Sequence, residues 1–84
     1  MYQIVFERSA EKDLKRLPSK VLPRAVNAIQ ALAKNPRPVG SRKLAGSEND
    51  WRIRVGDYRI VYEIADEIRV VRINRVRHRR DVYR

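Results

Sequence analysis

The chain has no cysteine. Disulfides, thiolate nucleophiles and Cys-based zinc sites are therefore excluded, and a reducing compartment is compatible with the sequence. No run of apolar residues is long enough to span a bilayer, and no charged-then-apolar leader opens the chain. The sequence therefore reads as a soluble, unexported, cytoplasmic protein without a membrane partner. Internal repeats and low-complexity segments are also missing. Acidic residues are few: 10 Asp plus Glu stand against 20 Lys plus Arg, for a formal net charge of +10 and a pI of about 10.9. Such an imbalance favours a polyanion or a strongly acidic protein as partner. The most selective absence is lysine from Trp51 to Arg84, where ten of the 20 basic residues fall and every one is Arg. Arg presents a planar fork of donors that grips phosphate bidentately and stacks on bases, so this bias points to a phosphodiester rather than to general solubility.

The 84 residues suit one domain, 1–84, with a small core. Tyr2 to Phe6 is short, β-branched and aromatic, and is expected to be a strand. Ser9 is placed as the N-cap of a first helix whose apolar stripe is Ala10, Leu14 and Leu17, and Pro18 ends it. Leu22, Ala25, Val26, Ile29, Leu32 and Ala33 fit the helical period of a second helix, with an irregular first turn near Pro23. The segment from Asn35 to Asp50 has the composition of a loop, in which Arg42 and Lys43 stand beside one apolar anchor, Leu44.

Beyond that loop the pattern changes to alternation. Trp51, Ile53 and Val55 alternate with Arg52 and Arg54, Gly56-Asp57 makes a tight turn, and Tyr58 to Ile64 returns as a second strand. Arg59 is then expected to share a face with Arg52 and Arg54, while Trp51, Tyr58 and Tyr62 belong to the core. Ile68 to Val76 is a third strand with apolar residues on both parities, which suits a central position. The expected architecture is α+β: a mostly antiparallel four-stranded sheet in the order β-α-α-β-β-β. The N-terminal helical hairpin covers one face and arginines line the other. The chain ends in Arg75-Val76-Arg77-His78-Arg79-Arg80-Asp81-Val82-Tyr83-Arg84.

Taken in order, the Lys43-Leu44-Ala45-Gly46 loop, Trp51-Arg52-Ile53-Arg54-Val55, Tyr58-Arg59-Ile60-Val61-Tyr62 and His78-Arg79-Arg80-Asp81-Val82-Tyr83 resemble the RelE/ParE superfamily of type II toxins. The resemblance covers nearly the whole chain, and the basic-then-Tyr ending looks like the RelE branch, whose members cut messenger RNA in the ribosomal A site. It implies a metal-free endoribonuclease with no cofactor, which blocks translation on the 70S ribosome. It also implies a cognate acidic antitoxin in a toxin–antitoxin hetero-oligomer. The alternative within the superfamily is a ParE-like toxin that inhibits DNA gyrase by binding alone.

By the same resemblance, the catalytic candidates are Arg52, Arg54, Arg59, Arg77 and Tyr83. Arg59 and Arg77 would hold the scissile phosphate, and Tyr83 would orient the substrate by stacking or hydrogen bonding. Arg42, Lys43, Arg79 and Arg80 are candidates for RNA contact. Well-known RelE members carry Lys where this chain has Arg52 and Arg54, and Arg does not give up its proton, so the general base stays unassigned. His78, the single histidine, is the one side chain with an ordinary pKa near neutrality. It is read either as that base or as a structural residue turned away from Arg77 by alternation.

Overall fold

A computed structural model of the chain describes residues 1–81. The elements are β1(Gln3–Phe6), α1(Arg8–Lys15), α2(Leu22–Ala31), β2(Arg42–Lys43), β3(Asp50–Val55), β4(Tyr58–Ala65) and β5(Val70–His78). They form one sheet in the order β1-β5-β4-β3-β2, with β1 parallel to β5 and the other neighbours antiparallel. The sheet thus has five strands rather than the four expected. The additional one is the Arg42-Lys43 pair, which lies opposite Arg52 and Trp51 at the edge of the sheet. Turn chemistry hid it, because Gly40 and Gly46 on either side both take positive φ, while the Leu44 N–H donating to the Asp50 carbonyl closes a short hairpin.

Both helices lie on one side of the sheet. Ala10, Ala25, Ile29 and Leu32 pack against Ile53, Val55, Ile60, Tyr62, Ile64, Val71, Ile73 and Val76 to form the core. At the helix junction the Pro18 carbonyl accepts the N–H groups of both Val21 and Leu22. Helix α2 starts only at Leu22, which puts Pro23 in its first turn, where a missing N–H is harmless. Tyr62 is buried with its hydroxyl donating to the Pro36 carbonyl at 2.7 Å. Burial pushes its phenol up to about 12.

Ser9 does not cap α1. The N-cap residue is Glu7, which makes no side-chain capping bond, and the Ser9 hydroxyl instead donates to the Asn74 carbonyl at 2.8 Å. That contact falls on the most consequential irregularity of the sheet. Across β4 and β5, Val61 pairs with Arg75 but the next residue, Tyr62, pairs with Ile73, so Asn74 is an extra, bulged residue. One extra residue reverses the alternation beyond it. Val71 and Ile73 point into the core before the bulge and Val76 after it, so Arg75 and Arg77 leave on the side opposite the helices. The mixed parity of this strand thus reflects the bulge as well as its place between β1 and β4.

Helix α1 holds the bulge in place. The parallel partner β1 ends opposite Ile73, and beyond it the Asp13 carboxylate accepts the Val76 N–H at 2.9 Å and the Arg75 guanidinium at 2.9 and 3.2 Å. The Asp13 side chain is only 10% exposed. Its removal would strand three N–H donors, two on Arg75 and one on Val76, and hydrogen bonds to charged groups are worth about 1.5–3 kcal/mol each. Asp13→Ala is accordingly expected to cost about 2–3 kcal/mol, read as a fall in the urea midpoint at unchanged m-value.

A second polar cluster ties the N-terminus to the β4–β5 turn. Arg37 donates to both oxygens of Asp66, at 2.8 and 3.3 Å, and the Tyr2 hydroxyl adds a bond at 2.6 Å. The Arg37 guanidinium first, and the Tyr2 hydroxyl second, hold the Asp66 carboxyl at about 2, against an ordinary 3.8. A depressed folded-state value means that the contribution is present above 3.8 and is lost as pH falls toward about 2. Stability is expected to decline across that window in an acid titration of unfolding, and Asp66→Asn should flatten this part of the curve. The cluster is solvent-exposed, so added salt should shrink the difference.

Candidate nucleic-acid interface

Strand register assembles the arginines. Arg54 on β3 lies directly opposite Arg59 on β4, and Arg59 lies directly opposite Arg77 on β5. Three arginines therefore stand in one row across three neighbouring strands, each about 4.8 Å from the next at the backbone. Two residues along, a second row runs Arg42, Arg52, Val61 and Arg75 across four strands. A third row, Asp50, Glu63 and Arg72, carries the only carboxylates of these three. Like charges facing one another across a sheet are destabilising. Among the described residues the first two rows hold no carboxylate, which argues for an anionic ligand on this face.

The arginines divide into two groups by their partners. Arg37 is bound to Asp66, Arg72 to Glu7 and Glu63, and Arg75 to Asp13. Among the described residues, Arg42, Arg52, Arg54 and Arg77 take part in no ion pair. Two grooves open on their face. One, of about 300 Å³, is lined by Gly40, Arg42, Arg52, Ile53, Arg54 and Arg59; its neighbour, of about 870 Å³, reaches from Leu44 across Val61 to Arg77. Among the described residues neither is lined by a carboxylate.

Arg59 was expected to stand open on the surface, and it does not. Only 8% of it is exposed, at a position on the central strand between Arg54 and Arg77. His78 lies on the opposite side of the sheet from the arginine rows. It pairs with Tyr58, meets that ring edge-on at 5.2 Å, and receives the Arg80 backbone N–H on Nδ1 at 3.3 Å. The pocket beside it is lined by Asp13, Arg16 and Leu17 at the α1 end and also by Arg75 and Arg77. Strand alternation turns the His78 side chain away from the face that carries Arg54 and Arg59. Lys43 pairs with Trp51 at the sheet edge. Arg79 continues past β5, its N–H donating to the Asp57 carbonyl, and both Arg79 and Arg80 are exposed. Trp51 packs on the core with the Arg37 guanidinium over its ring at 5.3 Å. Tyr83 lies outside the described residues.

Sequence reasoning missed Ser9 and Asp13, the two α1 residues that hold the bulge and with it the direction of Arg77. They lie more than sixty positions from their partners, and no local pattern connects the two segments. Among the described residues no three His, Asp or Glu side chains gather as metal ligands would. No helix there is long and apolar enough to cross a membrane.

A five-stranded sheet with a helical pair on one side is a fold shared with known toxins. A family model described as "ParE toxin of type II toxin-antitoxin system, parDE" matches residues 4–83, and the chain belongs to this RelE/ParE superfamily. Toxin RelG of Mycobacterium tuberculosis is 40% identical over 87 residues, spanning 99% of this chain and 97% of that one. The toxin in the RelE–RelB complex from Pyrococcus horikoshii superimposes with a TM-score of 0.83 at 26% identity, covering 96% of this chain and 98% of that one. The isolated Escherichia coli RelE toxin gives 0.82 at 28%, covering 93% and 84%. Within the superfamily the chain falls in the RelE branch, and it is the toxin of a type II toxin–antitoxin system.

Proposed function

We propose that this toxin is an endoribonuclease that cuts messenger RNA in the ribosomal A site and so stops translation in the cytoplasm. The observation that carries the reading is the row of Arg54, Arg59 and Arg77 on adjacent strands, with no carboxylate among them. In RNA cleavage by the neighbouring 2′-hydroxyl, negative charge builds on a five-coordinate phosphorane, and preorganised cations stabilise that state more than the ground state. Arg59, held in the middle of the row, and Arg77 beside it take the scissile phosphate. Arg52 and Arg54 hold the strand, and Tyr83 orients the nucleotide by stacking or by a hydrogen bond near the 2′-hydroxyl. His78 is given no part in this scheme. Since Arg keeps its proton, the toxin's contribution is electrostatic and positional rather than proton abstraction. Arg42, Lys43, Arg79 and Arg80 supply further contact with RNA of the message or the ribosome.

The partner that restrains the toxin is an acidic antitoxin, as the RelE–RelB complexes of relatives suggest. It would cover the same cations and form a hetero-oligomer with the toxin. Gyrase inhibition in the manner of ParE is the competing reading, and it needs no phosphorane site. Primer extension on a message in a translating extract discriminates between them. Toxin-dependent stops inside codons at the A site are expected; intact message alongside broken or gyrase-bound DNA would overturn the proposal.

A further inference from the structure

The groove of about 870 Å³ beside the phosphate row has features that phosphate binding alone leaves unexplained. Its lining comprises four arginines and Lys43, yet Leu44, Ala45 and Val61 also line it. Val61 is the one apolar member of its row, set between Arg52 and Arg75 in the middle of the exposed sheet face. Leu44, on the β2–β3 hairpin, lines the same groove, and its own N–H and carbonyl are engaged by Asp50 and Ser47. Arg75 faces the groove but its guanidinium is turned back to Asp13 in a two-pronged bond, so its charge is already satisfied and it offers the groove its stem. The result is an apolar patch bordered by Arg42, Arg52 and Arg77, which make no ion pair among the described residues. The volume falls within the roughly 300–1,000 Å³ usual for small-ligand sites.

We infer that this patch is a nucleobase subsite: one base of the RNA lies on Val61 against Leu44, while Arg52 and Arg77 hold the phosphates flanking it. This inference rests on the nuclease reading above and adds to it a place for a base. The flat face of a sheet is a suitable platform, since bases splayed from a single strand gain most by covering apolar or planar surface. The spacing agrees with such a path. The phosphate row and the Val61 row are two residues apart along each strand, about 6.7 Å, roughly one step of an extended sugar-phosphate chain. The acidic third row marks where the path ends, for Asp50 and Glu63 would repel a further phosphate. An acidic protein segment inserting an apolar side chain is the other conceivable occupant. The continuity of the groove with the arginine row favours RNA.

The test uses the whole toxin on ribosomes programmed with synthetic messages, each bearing one abasic ribonucleotide at a different position around the cut. Wild-type toxin is expected to lose cleavage on the order of tenfold at one of these positions, the size of a lost apolar contact. Val61→Asn should lose a similar factor on the normal message and show no further loss on that abasic one; Leu44→Ala should behave alike but more mildly. Thermal unfolding of each variant checks that substitution at these half-buried positions leaves the fold intact. A second arm measures binding of a base-bearing ribonucleotide trimer and its abasic counterpart without ribosomes. Wild type should prefer the first several-fold and Val61→Asn should not. If the abasic and Val61→Asn losses multiply, the subsite is elsewhere. Weakened antitoxin binding with cleavage unchanged would mean that the groove holds protein, and the inference falls. Should wild type fail to cut any message while still preferring the base-bearing trimer, the nuclease reading falls and the base subsite stands.

Discussion

Arg77→Ala is expected to slow cleavage of ribosome-bound message by about 10²-fold or more, with the protein still folded and still bound to ribosomes. Loss of one positioned donor to a developing oxyanion typically costs ~10²–10³ in rate. Arg77 makes no ion pair among the described residues and lies on the open side of β5, so its truncation takes nothing from the core. Surface changes of this kind usually alter stability within about ±0.5 kcal/mol. Ribosome binding should persist because many other cations still meet phosphate. Arg59→Ala should cost as much in rate, but Arg59 is buried, so its truncation is also expected to lower stability. Arg77 is therefore the cleaner test. Single-turnover primer extension, with a pelleting assay for ribosome binding, separates the two effects; full activity in a folded Arg77→Ala protein would remove the phosphorane site from the scheme and bring gyrase forward.

Naked messenger should be cut several orders of magnitude more slowly than the same message in a translating ribosome. The arginine face is a sheet surface with open grooves rather than a walled cleft, so it can hold a phosphate but cannot by itself freeze the 2′-hydroxyl in line with the leaving oxygen. Fixing reactants in attack geometry is worth up to about 7–11 kcal/mol. The decoding site would supply that positioning, while the toxin supplies charge. Comparable rates on naked and translating message, followed on one labelled RNA, would contradict this division.

Much of this was written locally in the chain. Alternation of Trp51, Ile53 and Val55 with Arg52 and Arg54 is a property of consecutive residues, as are the helical stripe of Ala25 and Ile29 and the turn at Gly56-Asp57, so all could be read without a structure. The Arg-for-Lys bias of the last third likewise pointed to phosphate by chemistry alone. The pairing of Arg54 with Arg59 followed from the short hairpin that joins them.

Other features depended on residues far apart meeting. The Arg42-Lys43 strand exists only because β3 offers it an edge, and its flanking glycines made it look like loop. The burial of Arg59, on the central strand, was likewise not legible from its own surroundings in sequence. Most of all, the direction of Arg77 was settled by the bulge at Asn74, which reverses the alternation of β5, and by Ser9 and Asp13 of α1, which hold that bulge. Periodicity within a strand tells which residues share a face, but a single extra residue changes the answer. Whether a strand takes that extra residue is decided by the hydrogen-bonding groups that another part of the chain brings to its edge.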